Sequence, residues 1–314
     1  MSHPPGFTRQ QYDEARRRNV TMDKNDDLAN EFNEHRGHLR AVAYRMLGSM
    51  SEADDAVQEA WLRLNRSDAG SIRSLEAWLT TVVARVCLDM LRSRKSRRED
   101  ELEAEVVEPA ATPEDANDPE QEAILADSVG LALLVVLEKL APAERVAFVL
   151  HDVFDLPFEE IGPIVGRNAA AARQLASRAR RRVRGQQTTS SATLTSQRAV
   201  VDGFITALRA GDFEGLLAVL DPDVVVHLGE GAGAPGAPRE LRGARNWAQG
   251  AVAFSRLARF MQPAVINGSV GLVFAPNGKL SRALTFTFAN SKIVEVDIIA
   301  TPDELAKLDL AILD

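Results

Sequence analysis

One segment of the sequence cannot belong to a folded core, and it divides the chain. Residues 99–122, EDELEAEVVEPAATPEDANDPEQE, carry eleven acidic side chains and no basic one. Like charges repel and apolar residues are few, so too little apolar surface is available to offset the entropy lost on folding. The segment is predicted to be a disordered linker, and the chain must fold as separate units on either side of it.

The position of this linker changes what the rest of the chain can bind. The net charge of the 314 residues is −8, but the linker alone contributes −11. Residues 1–98 carry +3, residues 123–186 carry +2 and residues 187–314 carry −2. The two mildly basic segments favour a nucleic-acid partner.

Residues 28–98 have the period of amphipathic helices, whereas the polar residues 1–27 are predicted to be disordered. Gly48 is predicted to end the first helix, Ser51 to cap the second and Ser74 to cap the third. The third helix ends in the basic run LRSRKSRR. Its five cations exceed the one or two that the dipole of a helix accounts for.

Residues 123–186 contain a second basic unit, and LPFEEIGPIVGRNAAAARQLASRARRRV is predicted to form a helix-turn-helix over about 157–184. Gly166 suits the left-handed turn, and Asn168 suits the N-cap of a second helix that carries arginines and no acid. Such a helix enters the major groove, where arginine reads guanine and glutamine reads adenine. The alternative is an ordinary helical hairpin with a solvated basic face. The side chains predicted to contact DNA are Arg167, Arg173, Gln174, Ser177, Arg178 and Arg181.

After a short polar linker at residues 187–196, residues 197–314 change from helical to strand patterns. DVVVHL, PAVINGSVGLVFAP, RALTFTFAN and KIVEVDIIAT are β-branched segments separated by turn signals, which predicts an α+β domain. Glu295 and Asp297 share one strand face by alternation, and with His227 they are the candidate lining of a pocket in this domain. The more ordinary interpretation of His227 is a polar residue at the end of a strand.

The composition excludes several kinds of site. Cys87 is the only cysteine, which rules out a disulfide framework and a cysteine zinc site. No apolar run reaches the length of a membrane span, so a cytoplasmic protein without a membrane partner is expected. The sequence contains no nucleophile motif and no phosphate loop, and we expect no cofactor, no metal and no enzymatic activity.

Three segments of the helical units resemble a known family. AYRMLGSMSEADDAVQEAWLRL, LEAWLTTVVARVCLDMLRSRK and APAERVAFVLHDVFDLPFEEIGPIVGRNAAAARQLASRARRRV are similar to regions 2 and 4 of the extracytoplasmic-function sigma factors of bacterial RNA polymerase. The remainder resembles a SnoaL-like domain of the NTF2-like cone fold. The resemblance implies two all-α domains, region 2 at 28–98 and region 4 at 123–186, followed by an α+β NTF2-like domain at 197–314.

The same resemblance implies a promoter-specificity subunit whose partners are core RNA polymerase, through its β′ clamp helices and β flap, and promoter DNA. Region 2 would read the −10 element and region 4 the −35 element. The residues implied to dock on the clamp helices are Asp54, Asp55, Gln58 and Glu59, for which a helix-dipole role is the alternative. The residues implied to hold the opened −10 element are Asn65, Arg66, Ser67, Arg73, Arg85, Asp89, Arg92 and Arg94.

Two other functions stay open at this point. A ligand-sensing DNA-binding regulator that acts alone needs one reader and a dimerisation device, whereas this chain has two basic helical units. A polyketide-cyclase-like enzyme with a DNA-binding appendage would need acid–base groups, such as His227 and Asp297, that converge in a pocket. Within the sigma-factor hypothesis, the C-terminal domain is expected to tune activity in cis, and an unknown small ligand in that domain is an open alternative.

Overall fold

The structure is a computed structural model that describes residues 9–67, 72–101, 130–185, 189–233 and 238–313. For residues 9–27, 98–101 and 277 it describes the backbone alone. Most of the predicted acidic linker therefore lies outside the described residues. Within them, no helix is both long and apolar enough to cross a lipid bilayer. Helical units are followed by a sheet-rich C-terminal domain, so the predicted fold class is confirmed.

The first unit consists of three mutually packed helices, α1 (Arg9–Leu47), α2 (Met50–Arg66) and α3 (Leu75–Glu101). The helix α1 begins earlier than predicted, because it includes residues 9–27, which were expected to be disordered. Residues of good helix propensity can extend a helix that is already anchored, since extension costs much less than nucleation. Ser74 Oγ caps the start of α3, as predicted.

The turn between α1 and α2 corrects one capping prediction. Gly48, with φ +75°, ends α1 as expected. Ser49 then has an extended conformation, and its Oγ accepts a hydrogen bond from the Glu52 N–H at 3.4 Å. The N-cap is therefore Ser49 and not Ser51, because only Gly48 and Ser49 lie between the two helices and the left-handed Gly48 ends the first.

In residues 130–185, the second unit forms four helices, α4 (Leu131–Glu138), α5 (Pro142–Phe148), α6 (Phe158–Val165) and α7 (Ala169–Arg184), and a π-helical turn continues α5 over Val149–Val153. The helices α6 and α7 form the predicted helix-turn-helix.

The turn of this motif has the predicted chemistry. Gly166 is left-handed, with φ +71°. Asn168 Oδ1 accepts a hydrogen bond from the Ala171 N–H at 2.8 Å, which caps α7. Gly162 lies under the turn, and a Cβ added there would be 2.9 Å from the Arg167 carbonyl oxygen. The backbone of the turn therefore passes too close to α6 for any side chain at this position.

The described part of the C-terminal domain contains helices and a seven-stranded sheet. Its helices are α8 (Ser191–Ala210), α9 (Phe213–Val219), α10 (Ala244–Val252) and α11 (Pro302–Lys307). Its strands are β1 (Leu220–Leu228), β2 (Glu240–Arg242), β3 (Met261–Ile266), β4 (Ser269–Phe274), β5 (Arg282–Ala289), β6 (Lys292–Ile299) and β7 (Leu310–Ala311). The strand order is β2-β1-β6-β5-β4-β3-β7; β1 and β6 are parallel and the other neighbours are antiparallel.

The two faces of this sheet pack against different partners. The inner face carries Leu272, Leu284 and Phe286, which pack with Phe204 of α8 and Trp247 of α10 in one apolar cluster. Alternate residues of the same strands point to the outer face, as the period of a strand requires.

The outer face packs on the helical units. Ala264, Val273 and Ala283 belong to the same buried apolar cluster as Leu134 of α4 and Val83 of α3. The three units therefore share one core across their boundaries.

Replacing Gly162 by alanine should lower the thermal stability of the protein. The added methyl group must push the backbone of the turn away from α6, at a cost of about 1–3 kcal/mol. Gly250 is the matched control, since it is exposed in α10 and has no neighbouring segment within 4 Å of an added Cβ. Gly250→Ala should stabilise the protein by up to about 1 kcal/mol. Thermal unfolding followed by circular dichroism measures both, and equal melting temperatures for the two variants would contradict the account.

Candidate nucleic-acid interface

The helix α7 separates its residues into a buried face and an exposed face. Ala172, Ala176, Ala179 and Val183 are buried against the rest of the second unit. Because three of these residues are small alanines, α7 lies close to its neighbours. Its opposite face is exposed. The predicted DNA-contacting residues all lie on that exposed side: Arg167, Arg173, Gln174, Ser177, Arg178 and Arg181.

The arginines of α7 divide into two groups. Arg180 pairs with Asp152 at 2.7 Å, and Arg182 pairs with the buried carboxylate of Glu144 at 2.8 Å. These two side chains hold α7 to α5 and the turn after it. Among the described residues, no acidic side chain forms an ion pair with any of the six predicted DNA-contacting residues. The charge of the four arginines among them is therefore available to a partner.

Arg173 is positioned by an aromatic ring. Its guanidinium carbon lies 5.1 Å from the centre of the Phe158 ring, a cation–π contact with the first residue of α6. This contact orders the side chain without neutralising it.

The C-terminal half of α7 borders a basic groove of about 1040 Å³. Arg178 and Arg181 line it from α7 and Lys139 lines it from the segment after α4, while Asp309 lines it from the C-terminal domain. The Ile312 N–H donates a hydrogen bond to the carbonyl oxygen of Val183 at 2.9 Å. The C-terminal domain therefore flanks the exposed face of α7.

The predicted polymerase-docking residues lie along one side of α2, but they differ in accessibility. Asp55 and Gln58 are exposed. The carboxylate of Asp54 pairs with Arg40 of α1 at 2.8 Å. Glu59 pairs with Arg63 one turn along the helix at 2.8 Å. Asp54 thus also joins α1 to α2, whereas Asp55 and Gln58 are available to a partner.

The predicted −10 surface is only partly assembled. Arg85, Asp89 and Arg92 are exposed on one side of α3, with Arg92 and Asp89 3.8 Å apart. Asn65, Arg66 and Arg73 are exposed, and Ser67 uses its hydroxyl to donate to the Leu64 carbonyl oxygen at 2.8 Å. Residues 68–71 of the loop Asn65–Arg73 lie outside the described part of the chain.

Arg94 differs from these residues because it makes contacts within region 2. Its guanidinium pairs with Glu52 of α2 and donates to the Leu47 carbonyl oxygen at 3.1 Å. It closes the C-terminal end of α1, where unpaired carbonyl groups need donors. In this structure its donors hold α3 to α1 and α2, and its contact with DNA stays a prediction.

Three residues that the sequence analysis missed join the units. Lys139 Nζ donates to the carbonyl oxygens of Leu305 and Ala306 at 3.4 and 3.3 Å, and also to Leu308, at the C-terminal end of α11. Burial lowers the pKa of Lys139, and the Asp309 carboxylate opposes part of this effect. The ammonium group therefore fastens the second unit to the C-terminal domain.

Phe154 and Arg145 make the corresponding contacts between the two helical units. The Phe154 ring lies 4.9 Å from the Arg45 guanidinium and 5.4 Å from the His38 ring, both on α1. Arg145 of α5 is only 3% exposed, and its charge acts on the pKa of Cys87 in α3. Burial raises the pKa of the Cys87 thiol to about 12, and the charge of Arg145 opposes part of that rise. No local pattern could have identified these residues, since each acts on a distant part of the sequence.

The candidate pocket residues of the C-terminal domain come together, but not inside a pocket of the inner face. One ligand atom each from His227, Glu295 and Asp297 lie within 4.8 Å of one another. They are on the outer face of the sheet, and the side chains of His227 and Glu295 are 39% and 43% exposed. The inner face is filled by apolar residues such as Trp247 and Phe286.

Comparison with known proteins agrees with this architecture. The family described as Sigma-70 region 2 matches residues 32–97, and Sigma-70, region 4 matches residues 130–183. The chain is 38% identical over 297 residues to the ECF RNA polymerase sigma factor SigJ of Mycobacterium tuberculosis, which covers 87% of this chain and 92% of SigJ.

Two solved structures were also compared. The crystal structure of M. tuberculosis SigJ aligns at 36% identity over 88% of this chain and 97% of that chain, with a TM-score of 0.43. An NTF2-like protein from Cytophaga hutchinsonii covers 35% of this chain and 95% of its own at 16% identity, with a TM-score of 0.25.

The match to SigJ spans nearly the whole of both sequences, and the two sigma regions occur in order within it. The chain therefore belongs to the extracytoplasmic-function sigma factors, which are not enzymes but the subunits that direct core RNA polymerase to specific promoters.

Proposed function

We propose that this sigma factor reads the −35 element with α7. The observation that carries the proposal is the exposed row Arg173, Gln174, Ser177 and Arg178, which follows a left-handed turn and has no acidic partner among the described residues. Arginine and glutamine form paired hydrogen bonds with guanine and adenine in the major groove, and the helix after such a turn is the usual reader.

The −10 element is assigned to the exposed side of α3 and the end of α2. Arg85 and Arg92 present cations along one helix face, and Asn65, Arg66 and Arg73 flank the loop between α2 and α3. A cationic face follows the backbone of a single strand, and a loop can capture a base that has left the stack at a cost of roughly a few kcal/mol.

The polymerase contacts are assigned to the exposed acidic side of α2, docked on the β′ clamp helices, and to region 4, docked on the β flap. Asp55 and Gln58 support the first assignment because both are exposed. Asp54 and Glu59 border the same surface, although each already pairs with an arginine of region 2.

The packing of regions 2 and 4 in this structure supports a closed state. The two promoter elements lie about 25 base pairs apart, which is roughly 85 Å along B-form DNA at about 3.4 Å per base pair. The helix α3 contacts α5 and α6, which contact α7. Packed helix axes are about 10 Å apart, so the axes of α3 and α7 approach to within about 20 Å of each other through α5 and α6. Both cannot engage one promoter until the regions separate.

The C-terminal domain is proposed to tune this opening in cis. Lys139 and the end of α7 hold region 4 to it, and its outer face completes the core shared with region 2. A coupling of about 1–3 kcal/mol between these contacts and the open state would change promoter output by about 5–150-fold. Chemistry in the C-terminal domain is not required for this role.

Replacing Arg178 by alanine should weaken binding at one base pair of the −35 element by about 1–3 kcal/mol, which is about 5–150-fold, and relax the preference there. Arg182→Ala is the matched control, since that arginine lies on the same helix but pairs with Glu144. Transcription from a library of −35 variants with purified polymerase measures both. An equal loss at every promoter for both variants would exclude base reading by α7.

Reversing the charge of Asp55 should reduce binding to core polymerase. If α2 docks through this exposed carboxylate, Asp55→Lys replaces attraction by repulsion and lowers affinity by more than about 10-fold at low salt. Glu31→Lys, an exposed reversal on α1, should leave core affinity nearly unchanged. Fluorescence anisotropy with core enzyme gives both affinities, and melting temperatures establish that the variants fold. Unchanged core affinity of the Asp55 variant would return this acid to a helix-dipole role.

The reactivity of Cys87 should report the closed state. Its thiol is buried with a pKa of about 12, so alkylation at pH 8 is slow until the protein opens. Phe154→Ala removes the ring that packs on Arg45 and His38 and should raise the alkylation rate by about 5–150-fold, matching a loss of about 1–3 kcal/mol.

The control for this experiment is Phe213→Ala, which removes a half-buried ring from the C-terminal domain. It should not change the alkylation rate of Cys87, and full labelling in urea establishes that the thiol is intact in every sample. A Phe154 variant that labels as slowly as the wild type would mean that this contact does not hold regions 2 and 4 together.

A further inference from the structure

A row of polar side chains crosses four strands on the outer face of the C-terminal sheet. Backbone register aligns Glu240 of β2, His227 of β1, Asp297 of β6 and Thr285 of β5 in that order. Glu295 lies two residues before Asp297 on the same side of β6. We propose that His227, Glu295 and Asp297 bind a divalent first-row transition-metal ion.

The distances between the three donor groups suit such an ion. With bonds of about 2.1 Å, neighbouring ligand atoms around an octahedral metal are about 3 Å apart and opposite ones about 4.2 Å apart. His227 Nε2 and Glu295 Oε1 are 2.9 Å apart, and the three donor atoms lie within 4.8 Å of one another. Small rotations of exposed side chains are enough to close the remaining difference.

The surrounding residues are arranged as a support for the three ligands. Histidine ligands commonly donate their second ring N–H to a carboxylate, which fixes the ring. Here Glu240 Oε2 lies 3.9 Å from Nδ1 of His227, which is beyond hydrogen-bond distance but on the side where such a carboxylate would stand, and Arg242 holds the Glu240 carboxylate at 2.6 Å. The hydroxyl groups of Thr285 and Thr287 donate to Asp297 and Glu295 at 3.3 and 3.4 Å, so both carboxylates are oriented from the far side.

The charge balance also favours a cation. Within the described residues, neither Glu295 nor Asp297 forms an ion pair with a lysine or arginine, and the basic group that contacts Glu295 is His227. Two neighbouring carboxylates repel each other unless a cation lies between them. The imidazole nitrogen selects a transition metal over Mg²⁺ or Ca²⁺, which prefer ligand sets made of oxygen alone.

The test uses the full chain without an affinity tag, stripped of metal by a chelator and titrated with Co²⁺ in a calorimeter. An excess of Mg²⁺ in every sample occupies the carboxylate-only sites of the acidic segment 99–122. The wild type should bind one Co²⁺ per chain with high affinity. His227→Ala and Asp297→Asn should each weaken binding by at least about 10-fold.

The matched control is Asp223→Asn, which removes an exposed carboxylate from the same strand as His227 and should leave Co²⁺ affinity unchanged. Co²⁺ should also raise the melting temperature of the wild type but not of the His227 variant, because the ion would join β1 to β6 only in the folded domain. Equal Co²⁺ affinity in the wild type and the His227 and Asp297 variants would overturn the proposal. Absence of saturable binding in the presence of Mg²⁺ would also overturn it.

Discussion

The architecture of this sigma factor depends on one apolar cluster that extends across the boundaries between its domains. Region 2, region 4 and the outer face of the C-terminal sheet all contribute buried side chains to it. The residues that the sheet contributes include small ones, such as Ala264, Ala275 and Ala283, so helices can approach its surface closely. Apolar burial stabilises by about 25 cal/mol per Å², so any opening that exposes this surface to water carries a substantial cost. The position of each reader of DNA is therefore set by the other two units.

Ion pairs among the charged residues then determine which side chains on the surface remain available to a partner. On α7, Arg180 and Arg182 are used to hold the helix in place, and Arg178 and Arg181 are not. In region 2, Arg94 pairs with Glu52 and holds two helices together, whereas Arg85 is exposed. Exposed ion pairs contribute little to stability, about 0–1 kcal/mol each, but those at the joins fix the angle at which one helix meets the next. The basic character visible in the sequence thus has two separate structural uses.

The parts of the fold that could be predicted are those fixed by local chemistry. The turn at Gly166 and the cap at Asn168 depend on residues within a few positions, so the helix-turn-helix was predicted correctly from the sequence. The cap at Ser49 was missed because Ser51 fits the same pattern, and only the exact end of α1 decides between them. The contacts of Lys139 were not predictable, because its partners near Leu308 lie about 170 positions away and a lone lysine normally indicates a solvated surface. His227 and Asp297 could be named as candidates, but their contact could not be predicted for a similar reason. The parallel pairing of β1 with β6 cannot be read from either strand.

The outer face of the C-terminal sheet carries two kinds of surface, one apolar and one polar, on the same strands. On β6, Ile299 packs against the shared core while Asp297, two residues earlier, belongs to the polar row; on β5, Ala283 and Thr285 are divided in the same way. The row therefore lies one side-chain step from the surface that holds the sigma regions. Proximity alone does not couple the two, since a ligand shifts an equilibrium only if it binds the closed and open forms with different affinity. Such a difference requires that separation of the sigma regions alters the spacing of β1 and β6, and β5 and β6 are strands that take part in both surfaces. The geometry of these two strands thus decides whether the polar row and the packing of regions 2 and 4 act as one system or as two.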